Sequence, residues 1–545
     1  MKMKQTKGKF ERYEKRVCVL IFLSTIPNSF SGFQFLATHY TPPFDCSGQN
    51  VSMYNNLTKD TTNIPSKFAT DACLRYNSSS NHGKNRTDQT YTCKSFKFKE
   101  DVQTVSTEFQ LVCDRAWIKP MLTSLYMVGK MAGGLSAGYM SDRFGRRIAF
   151  LVFTYGQFVA SILTSFSSSV TMYAIFMVIS GLFAVGNFEV IVVLGTEMVS
   201  IERRSFAYFC AGFGFSIGNM LLALLTYLFV SWRWFLVFGG LVGVLYIPYF
   251  WLIDESPIWL LATGQKDKAE KVLRKIATYN GHKNANNSAT LALVEQKISE
   301  DLQSETMWST LLHLRKSWIL IGRLAVVLFS WNIVSMTYYA IALNNDNLSG
   351  DRYLNIFYGS LTEMGSTFVF YFGITHLGRR NSYMTFMFIT SAGVAAAPFL
   401  AKWQGAASVT ASMLARLTIA VAFNTIYTHN GELFPTNIRT SILALSSGSS
   451  RIGGMIAPVI IYAGESGDTT VPSICMAVVI FLSALFYLLM PETKKTKLPQ
   501  TIEEARNLNK CVPRGISEEK TEDQPLNANT VPLVACQNSP PLLNV

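Results

Sequence analysis

Twelve apolar stretches, each long enough to cross a lipid bilayer, constrain this chain of 545 residues more than any other feature of its sequence. A hydrocarbon core about 30 Å thick is crossed by roughly 20 apolar residues in a helix. Such stretches fold as helices because a helix pairs its backbone groups internally. The expected spans are Val17–Thr38, Trp117–Met140, Ile148–Thr164, Val170–Leu194, Ser205–Val230, Trp232–Ile253, Trp318–Leu343, Tyr353–Thr375, Tyr383–Ala401, Ala406–Thr428, Ile438–Ala463 and Val471–Met490. The expected fold class is therefore an all-α polytopic membrane protein.

The composition agrees with a membrane solvent and argues against several other classes. Apolar residues make up 49% of the chain and charged residues only 15%, which leaves too little polar surface for several soluble domains. The same composition excludes a disordered chain. A formal charge of +13 would suit a nucleic-acid binder only if the basic residues shared one solvated face, and they do not.

Basic residues in the short loops predict the orientation. Lys and Arg favour cytoplasmic loops, and the segment 1–16 is strongly basic. The other basic loops fall on the same side, and they contain Arg143, Arg146, Arg147, Arg203, Arg204, Arg379, Arg380, Lys494, Lys495, Lys497 and the Lys266–Arg315 loop. Both termini are therefore expected in the cytoplasm. A cleaved signal peptide is the alternative for the first span, but Pro27 and Asn28 interrupt its apolar core.

The segment 39–116 is expected outside the cell, which places the protein in the plasma membrane. It is polar, and it holds four cysteines (Cys46, Cys73, Cys93 and Cys113) and four Asn-x-Ser/Thr sequons (Asn50, Asn56, Asn77 and Asn85). An even number of cysteines on an external face predicts two disulfides in one of three pairings. The sequons predict N-glycosylation.

Two further segments are expected in the cytoplasm. Residues 254–317 combine helical periodicity with mixed charge, which predicts short helices at the membrane surface. Residues 491–545 are polar and rich in Pro and Asn, which predicts a largely disordered tail. The terminal Leu543-Asn544-Val545 could add a strand to a scaffold domain, although many unrelated tails end in this way.

Two motifs recur at nearly the same offset along the chain. A Gly-Arg-Arg element at 145–147 recurs at 378–380. A glutamate followed seven residues later by an arginine occurs at Glu197 and again at Glu432. Two independent signals at nearly one offset predict two six-helix halves related by an internal repeat.

These repeated elements place acids and bases at the inner ends of helices, where ion pairs could tie one half, 17–253, to the other, 318–490. Exposed ion pairs contribute only about 0–1 kcal/mol each, so such ties would open readily. The expected latch residues are Asp142, Arg143, Arg146, Glu197, Arg204, Arg379, Glu432 and Arg439. The alternative is that the arginines only set the topology, although topology needs no acid.

Five of the charged residues inside the expected spans are candidates for function, because a charge at bilayer depth costs at least about 2.5 kcal/mol. They are Lys130, Glu189, Glu363, Arg416 and Arg451. Glu363 and Arg451 lie near the middle of their spans and form either a structural pair or two poles of a cargo site. Lys130 and Glu189 differ in depth by only about 6 Å, which predicts an ion pair within the first half. Arg416 either serves the cavity or shields a neighbouring carboxylate.

Aromatic residues interrupt the aliphatic faces of two of these helices. Trp331, Tyr338, Tyr339 and Tyr427 could surround a quaternary ammonium by cation–π attraction, at about 0.5–2 kcal/mol for each ring. The alternative for each ring is that it only packs.

Several motifs are similar to those of a known family. Gly138–Arg147 resembles the loop signature of the major facilitator superfamily, and other segments resemble its organic ion transporter family, solute carrier family 22. These segments are Ser106–Arg115, Asp254–Leu260, Glu432–Arg439 and Pro491–Thr493, and the likeness covers nearly residues 10–510. Ile258 departs from the family, which usually has Arg there. The resemblance implies the major facilitator fold of twelve helices in two halves, with a disulfide-bonded external loop.

The resemblance also implies roles for single residues. Glu363 matches an acidic position of the cation and carnitine branches, and Arg451 matches a basic position of the anion and carnitine branches. One acid and one base together suit a zwitterion. Asn28 and Asn187 resemble positions of the carnitine-type members and could coordinate cargo or Na⁺. Alternatively, Asn28 only bonds backbone groups freed by Pro27.

The expected function is secondary-active transport of organic cations or carnitine-like zwitterions by alternating access, with no cofactor and with Na⁺ as a candidate coupling ion. An organic anion exchanger is the alternative within transport, and a non-transporting receptor or scaffold is the alternative outside it. Enzyme activity is not expected, because the chain has no G-x-x-x-x-G-K-[ST] phosphate loop, no G-x-S-x-G or H-E-x-x-H element and no His/Cys metal cluster.

The predicted topology puts positions 146 and 379 on the same side of the membrane. Single cysteines replacing Arg146 and Arg379, in a background without the native reactive thiols, should both resist a membrane-impermeant maleimide in intact cells. Both should react after permeabilisation. Labelling of one but not the other in intact cells would contradict the arrangement of two similar halves.

Overall fold

Twelve long helices form the body of the protein. The computed structural model describes residues 10–46, 73–76, 90–92, 96–200, 203–281, 317–465, 470–494, 496, 499 and 502–508. In chain order the long helices are α1 (Arg12–Gly32), α2 (Ile118–Phe144), α3 (Arg146–Ser165), α4 (Val170–Met198), α5 (Arg204–Leu228), α6 (Trp232–Leu241), α7 (Trp318–Leu343), α8 (Arg352–His376), α9 (Arg379–Trp403), α10 (Gly405–Leu433), α11 (Thr436–Glu465) and α12 (Thr470–Phe486). Short helices are Gln34–Thr38, Val105–Glu108, Tyr249–Leu252, Pro257–Ala262, Lys266–Asn280 and Ile502–Asn507, and 3₁₀ turns are Cys113–Arg115, Val242–Tyr246, Asn344–Asn347 and Tyr487–Leu489.

Most helices follow the expected spans and several extend beyond them, but α1 ends at Gly32 rather than Thr38 and α6 ends at Leu241 rather than Ile253. α7 coincides with its span, whereas α1 begins at Arg12 rather than Val17 and α10 runs to Leu433 rather than Thr428. Apolar runs mark the hydrocarbon crossing, and a helix continues into the polar boundary because its backbone remains paired there. Among the described residues, eight helical stretches are long and apolar enough to cross a membrane by length and composition alone, and they involve α3 to α7, α9, α10 and α12.

The packing of the helices repeats between the two halves. In the first half α1 packs on α5, and α4 packs on both α2 and α3. In the second half α7 packs on α11, and α10 packs on both α8 and α9. The halves meet along two pairs, α2 with α11 and α5 with α8, which correspond to each other under the same repeat. The described helices therefore form the two similar six-helix halves that the repeated motifs predicted.

The two ends of the bundle differ in chemistry. One end, called here the basic face, carries Arg146 and Arg379 at the first residues of α3 and α9. The other end, called here the disulfide face, carries the Cys73–Cys113 disulfide. One of the two expected disulfides is therefore confirmed. Cys93 and all four sequons, Asn50, Asn56, Asn77 and Asn85, lie outside the described residues.

Short strands occur at the disulfide face, where the sequence predicted only a polar loop. β1 (Phe44–Cys46) pairs antiparallel with β4 (Phe96–Phe98), and β2 (Leu74–Tyr76) pairs antiparallel with β3 (Thr90–Thr92). Each strand has three residues, which is too short for an alternating apolar pattern to be recognised in the sequence.

Glu108 attaches the segment after these strands to the start of α6. Its carboxylate accepts hydrogen bonds from the indole of Trp232 at 2.8 Å and pairs with the guanidinium of Arg233 at 2.5 Å. Arg233 also donates to the carbonyl oxygen of Ser167 at 2.7 Å, between α3 and α4. Ser106 donates to the carbonyl oxygen of His39 at 3.0 Å. Through these contacts, Ser106 and Glu108 of the Ser106–Arg115 motif hold the segments of the disulfide face together.

A short helix in the carboxyl-terminal tail docks on α7. Ile502–Asn507 lies within the tail 491–545, which was expected to be largely disordered. The buried guanidinium of Arg323 donates to the carbonyl oxygen of Ala505 at 2.5 Å, and so supplies a cation to the carboxyl end of this helix. The expected scaffold-binding residues Leu543 to Val545 lie outside the described part of the chain.

Glycines let neighbouring helices approach closely within the first half. A Cβ atom added at Gly129 or Gly133 of α2 would lie under 3.0 Å from a carbonyl oxygen of α4. The same is true of Gly214 and Gly218 of α5, which face carbonyl oxygens of α1. Both pairs have the small-xxx-small spacing that allows close packing of helices in membranes.

We expect Gly133→Ala to destabilise the protein although alanine favours helices. The added methyl group overpacks the contact with Leu182, at a cost of about 1–3 kcal/mol. Gly138→Ala on the same helix is the matched control, since a Cβ there meets nothing within 4 Å. The measurement is the melting temperature of the purified protein in detergent. An equal melting temperature for the two variants would contradict the close α2–α4 contact.

Candidate functional site

Two acid–base clusters and a group of aromatic rings lie at the centre of the protein, between the two halves. α7 contributes Tyr338 and Tyr339, whose rings contact each other at 5.4 Å between centroids and 84° between planes. One tyrosine hydroxyl reaches each cluster, because neighbouring residues of a helix point about 100° apart. Tyr338 contacts the cluster around Glu363, and Tyr339 contacts the cluster around Lys130.

Glu363 of α8 has polar contacts with three other helices. Tyr338 donates to one carboxylate oxygen at 2.6 Å, and the amide of Asn219 on α5 donates to the other at 3.4 Å. Arg416 of α10 pairs with the same carboxylate at 3.8 Å. The contact with Asn219 crosses between the halves. Arg416 therefore shields a neighbouring carboxylate, which is one of the two roles expected for it.

Arg416 is more deeply buried than its partner. Its side chain is 3% exposed and that of Glu363 is 14% exposed, while Nε and Nη1 of the guanidinium have no hydrogen-bond partner in the described structure. The guanidinium packs over Gly359 on α8, where an added Cβ would lie under 3.0 Å from it. The Glu363 carboxylate offsets most of the free energy that burying the Arg416 charge costs. Removal of either side chain would therefore leave the other charge buried without its partner.

The expected ion pair between Lys130 and Glu189 is wrong. Lys130 of α2 donates instead to the carbonyl oxygen of Gly32 at 3.2 Å and to the hydroxyl of Tyr339 at 3.4 Å. Glu189 of α4 pairs across the halves with Arg451 of α11 at 3.5 Å. Depth along the membrane normal was predicted from residue spacing, but the direction of each side chain around its helix was not. Glu363 and Arg451 also have separate partners and do not pair with each other.

The predicted aromatic residues form one continuous group. Trp331 is fully buried and contacts Tyr427 at 5.3 Å between ring centroids. Phe423 links this pair to Tyr338, at 5.6 Å from Trp331 and 6.2 Å from Tyr338. Phe33, at the break after α1, contacts both Tyr338 and Tyr339. Phe33 and Phe423 were missed because a single phenylalanine in an apolar helix gives no sequence signal.

Asn28 and Asn187 belong to a buried amide cluster within the first half. Both donate to the side-chain oxygen of Gln157 on α3, at 3.2 Å and 2.9 Å. Asn28 also donates to the carbonyl oxygen of Ala184 at 2.8 Å. All three amides are almost fully buried, so they connect α1, α3 and α4 rather than line the space around the tyrosines.

The alternative that Asn28 bonds the backbone freed by Pro27 is also wrong. A proline inside a helix frees the carbonyl oxygen four residues earlier, which is that of Leu23. The hydroxyl of Tyr246 donates to this oxygen at 2.5 Å. The side chain of Gln157 approaches the carbonyl oxygen of Pro27 itself at 3.5 Å.

The expected ion pairs at the basic face form, but each lies within one half. Arg146 pairs with Glu197 at 3.2 Å and with Asp142 at 3.0 Å, all in the first half. Arg379 pairs with Glu432 at 3.0 Å in the second half. The expectation that these pairs tie one half to the other is therefore wrong in this structure. Each pair joins the ends of helices that pack together inside one half. The side chains therefore bond within that half rather than across to the other.

The remaining expected latch residues have other contacts. Arg143 donates to the hydroxyl of Tyr139 one turn earlier, and Arg204 donates to the carbonyl oxygen of Thr196 at 3.2 Å. Nε and Nη2 of Arg439 have no hydrogen-bond partner in the described structure.

Two glutamates that sequence reasoning left without a role cap α3 and α9. Glu255 accepts hydrogen bonds from the backbone N–H groups of Arg146 and Arg147 at 2.9 and 3.1 Å. Glu492 does the same for Arg379 and Arg380 at 2.8 and 3.0 Å. The carboxylates satisfy free N–H groups and favour the positive end of the helix dipole. Burial raises the pKa of Glu255, and the backbone hydrogen bonds oppose that rise.

Glycine precedes each capped helix for a steric reason. Gly145 and Gly378 have φ angles of 102° and 89°, which side chains rarely adopt. An added Cβ would also lie within 3.0 Å of the capping carboxylate of Glu255 or Glu492. Glu255 and Glu492 are separated by nearly the same offset as the other repeated motifs, and this spacing was a readable signal.

Three contacts close the halves against each other at the disulfide face. Lys119 of α2 pairs with Glu465 of α11 at 3.6 Å. Ser124 donates to the carbonyl oxygen of Met455 at 2.8 Å. Arg352, at the start of α8, donates to the carbonyl oxygen of Leu36. Movement of the halves apart at this face would have to break all three.

A double-mutant cycle tests whether the basic-face pairs act within one half. We expect Arg146→Ala and Glu197→Ala to show a coupling of about 1 kcal/mol in thermal unfolding, because both side chains are mostly buried and in contact. The control cycle of Arg146→Ala with Glu432→Ala should be additive. Coupling in the control cycle equal to that of the first would mean that the pairs join the halves.

Comparisons with known proteins extend the sequence resemblance. A model of the sugar (and other) transporter family matches residues 75–504. The organic cation transporter protein of Drosophila melanogaster is 29% identical over 517 residues, covering 92% of this chain and 94% of that protein. The organic cation/carnitine transporter 2 of Homo sapiens is 27% identical over 519 residues, covering 91% and 92%. The inward-open xylose transporter XylE of E. coli matches with a TM-score of 0.61 at 15% identity, covering 90% of this chain and 99% of that one, which is a likeness of fold.

Proposed function

Because the chain belongs to the sugar (and other) transporter family of the major facilitator superfamily, we propose that it carries a small organic cation or a carnitine-like zwitterion across the plasma membrane by secondary-active transport. The observation that carries this proposal is the pair of acid–base clusters at the centre. They lie between the two halves and share the Tyr338–Tyr339 ring pair. Intramembrane charges in such a position are typical of substrate pathways.

Substrate binding would use the clusters as two poles. Glu363 attracts the ammonium group, and Tyr338, Trp331 and Tyr427 provide aromatic faces for its methyl groups. Arg451 engages a carboxylate. The ammonium has to compete with Arg416 for Glu363, and the long 3.8 Å contact between these two side chains leaves room for that competition.

Alternating access would proceed by rocking of two rigid halves. The ion pairs at the basic face and the glutamate caps stiffen each half, since all of them are internal to it. With the basic face in the cytoplasm, the contacts of Lys119, Ser124 and Arg352 hold the outer side closed. Opening the outer side breaks these contacts and requires new ones near the basic face.

Asn28 and Asn187 have an indirect role in substrate binding in this proposal. Their side-chain nitrogens donate to Gln157 and both residues are buried, so they would influence cargo by holding α1 and α4 in place. Coupling to Na⁺ rests on no contact described above. The uptake experiment below therefore includes Na⁺ as a variable.

An organic anion is the second candidate for the cargo, and one observation favours it. Within the two central clusters, Lys130, Arg416 and Arg451 are basic and Glu189 and Glu363 are acidic, which leaves one formal positive charge in excess. A bound anion would neutralise that excess.

Uptake by intact cells tests the proposal. Labelled carnitine, tetraethylammonium and p-aminohippurate are compared in cells with equal surface amounts of the protein, in Na⁺ and in Li⁺ medium. We expect accumulation of carnitine or tetraethylammonium above untransfected cells. Accumulation of p-aminohippurate alone would favour the organic anion, and failure of all three would favour a receptor or scaffold.

Glu363→Gln should reduce cation uptake about tenfold while p-aminohippurate uptake changes less, because the amide keeps the shape of the side chain and loses its charge. The matched control is Glu270→Gln on the exposed helix Lys266–Asn280, where the carboxylate pairs only with Arg274 on the surface. Equal losses for cations and anions in the Glu363 variant would make that residue structural.

A further inference from the structure

Lys130 is a buried cation without an acidic partner in the described structure. Its side chain lies between the rings of Tyr126 and Tyr339, with Nζ at 4.8 and 5.2 Å from their centroids. Its two hydrogen bonds go to a carbonyl oxygen and a hydroxyl group, at 3.2 and 3.4 Å. Tyrosine faces and neutral oxygens reduce the cost of burying an ammonium, but they leave its charge uncompensated.

Arg451 provides a second cation beside the same tyrosine. Arg451 lies three residues before Gly454 on α11, where an added Cβ would lie 3.2 Å from the ring of Tyr339. The two cations come from different halves, on α2 and α11, which pack against each other. Among the residues that the structure describes, Glu189 is the acid that pairs in this cluster, which therefore carries one positive charge more than negative.

The Glu189–Arg451 pair is loose and open to solvent. Its closest atoms are 3.5 Å apart, and the side chains are 38% and 19% exposed, in contrast to 14% and 3% for Glu363 and Arg416. The Glu189 carboxylate packs over Gly134, one turn along α2 from Lys130. Such a carboxylate can exchange for another at modest cost, because water can take it up when it leaves.

We propose that Lys130 and Arg451 together form a carboxylate-binding subsite shared by the two halves, and that Glu189 is an internal carboxylate that holds Arg451 until a substrate replaces it. This inference rests on the proposed transport function and specifies the recognised group as an organic carboxylate. That group belongs either to an organic anion or to the acidic end of a zwitterion.

The exchange has a consequence for charge. In the empty site, Glu189 neutralises Arg451 and Lys130 remains unmatched. A bound carboxylate takes the place of Glu189 beside Arg451 and also contacts Lys130 and the hydroxyl of Tyr339, while Glu189, whose side chain is 38% exposed, is released to solvent. Because the ligand then bridges α2 and α11, its binding draws the two halves together at the centre.

Binding to the purified full-length protein in detergent tests the subsite without requiring transport. Carnitine and choline form one matched pair of probes, since both carry a trimethylammonium group and only carnitine carries a carboxylate. p-Aminohippurate represents an anion without the ammonium. Affinity is measured from the ligand-dependent rise of the melting temperature.

Glu189→Gln should strengthen binding of carnitine or p-aminohippurate about tenfold, because the competing carboxylate is removed. Lys130→Met should weaken the same binding about tenfold, and Lys130→Arg should restore most of it. Choline binding should change in none of them. Lys268→Met is the control, since it removes a surface lysine of the helix Lys266–Asn280, where Lys268 donates to Gln265 at 2.9 Å.

Several outcomes would overturn this inference. They are unchanged carboxylate affinity in both Glu189→Gln and Lys130→Met, equal effects on carnitine and choline, and no melting-temperature response to either carboxylate in the wild type and in Glu189→Gln. If Lys130→Met does not fold, the carboxylate affinities of Lys130→Arg and Glu189→Gln, compared with that of the wild type, still test the subsite. Carboxylate binding with the expected pattern but no uptake would reject the transport proposal and leave the subsite intact. Uptake of a carboxylate that none of these substitutions changes would reject the subsite and leave the transport proposal intact.

Discussion

A charge inside a membrane needs a partner, and this requirement organises the centre of the protein. Four of the five charges in the two central clusters pair as acid with base, and one of these pairs joins the two halves. The fifth, Lys130, reaches from α2 to α1 and α7. Helices that would otherwise meet through apolar surfaces are therefore fixed in rotation by a few polar contacts. The same contacts create the site, since a partner that is held loosely can be exchanged for a ligand.

The basic face serves a different purpose. There the arginines of α3 and α9 bind glutamates of their own half, and two further glutamates cap the same helices. Because each set is internal, rotation of one half relative to the other leaves it intact. The second half lacks a counterpart of Asp142, since Thr375 takes the equivalent position when Gly145 is aligned with Gly378. In the second half, Arg379 pairs with Glu432, and Glu432 also accepts a hydrogen bond from Thr493.

Much of this fold could be predicted from the sequence, and the reasons are physical. Apolar length gives the twelve spans, and the offset of the Gly-Arg-Arg and glutamate motifs gives the two halves. Partners of charges could not be predicted, because residue spacing gives depth but not the rotation of one helix against another. That gap led to the wrong Lys130–Glu189 pair. Asn28 and Asn187 were predicted to coordinate cargo or Na⁺, and the residue to which both donate, Gln157, is one glutamine in an apolar helix and gave no signal.

The tail helix Ile502–Asn507 is bonded to one end of α7, the helix that carries Tyr338 and Tyr339. Arg323 at one end of α7 is 3% exposed and bonded to the tail, while Tyr338 and Tyr339 lie about four turns further along the same rigid rod. A chain cut before residue 502 would leave that guanidinium facing apolar neighbours without its carbonyl partner. Shortening the tail would therefore leave a buried charge without its partner on the same helix that carries Tyr338 and Tyr339.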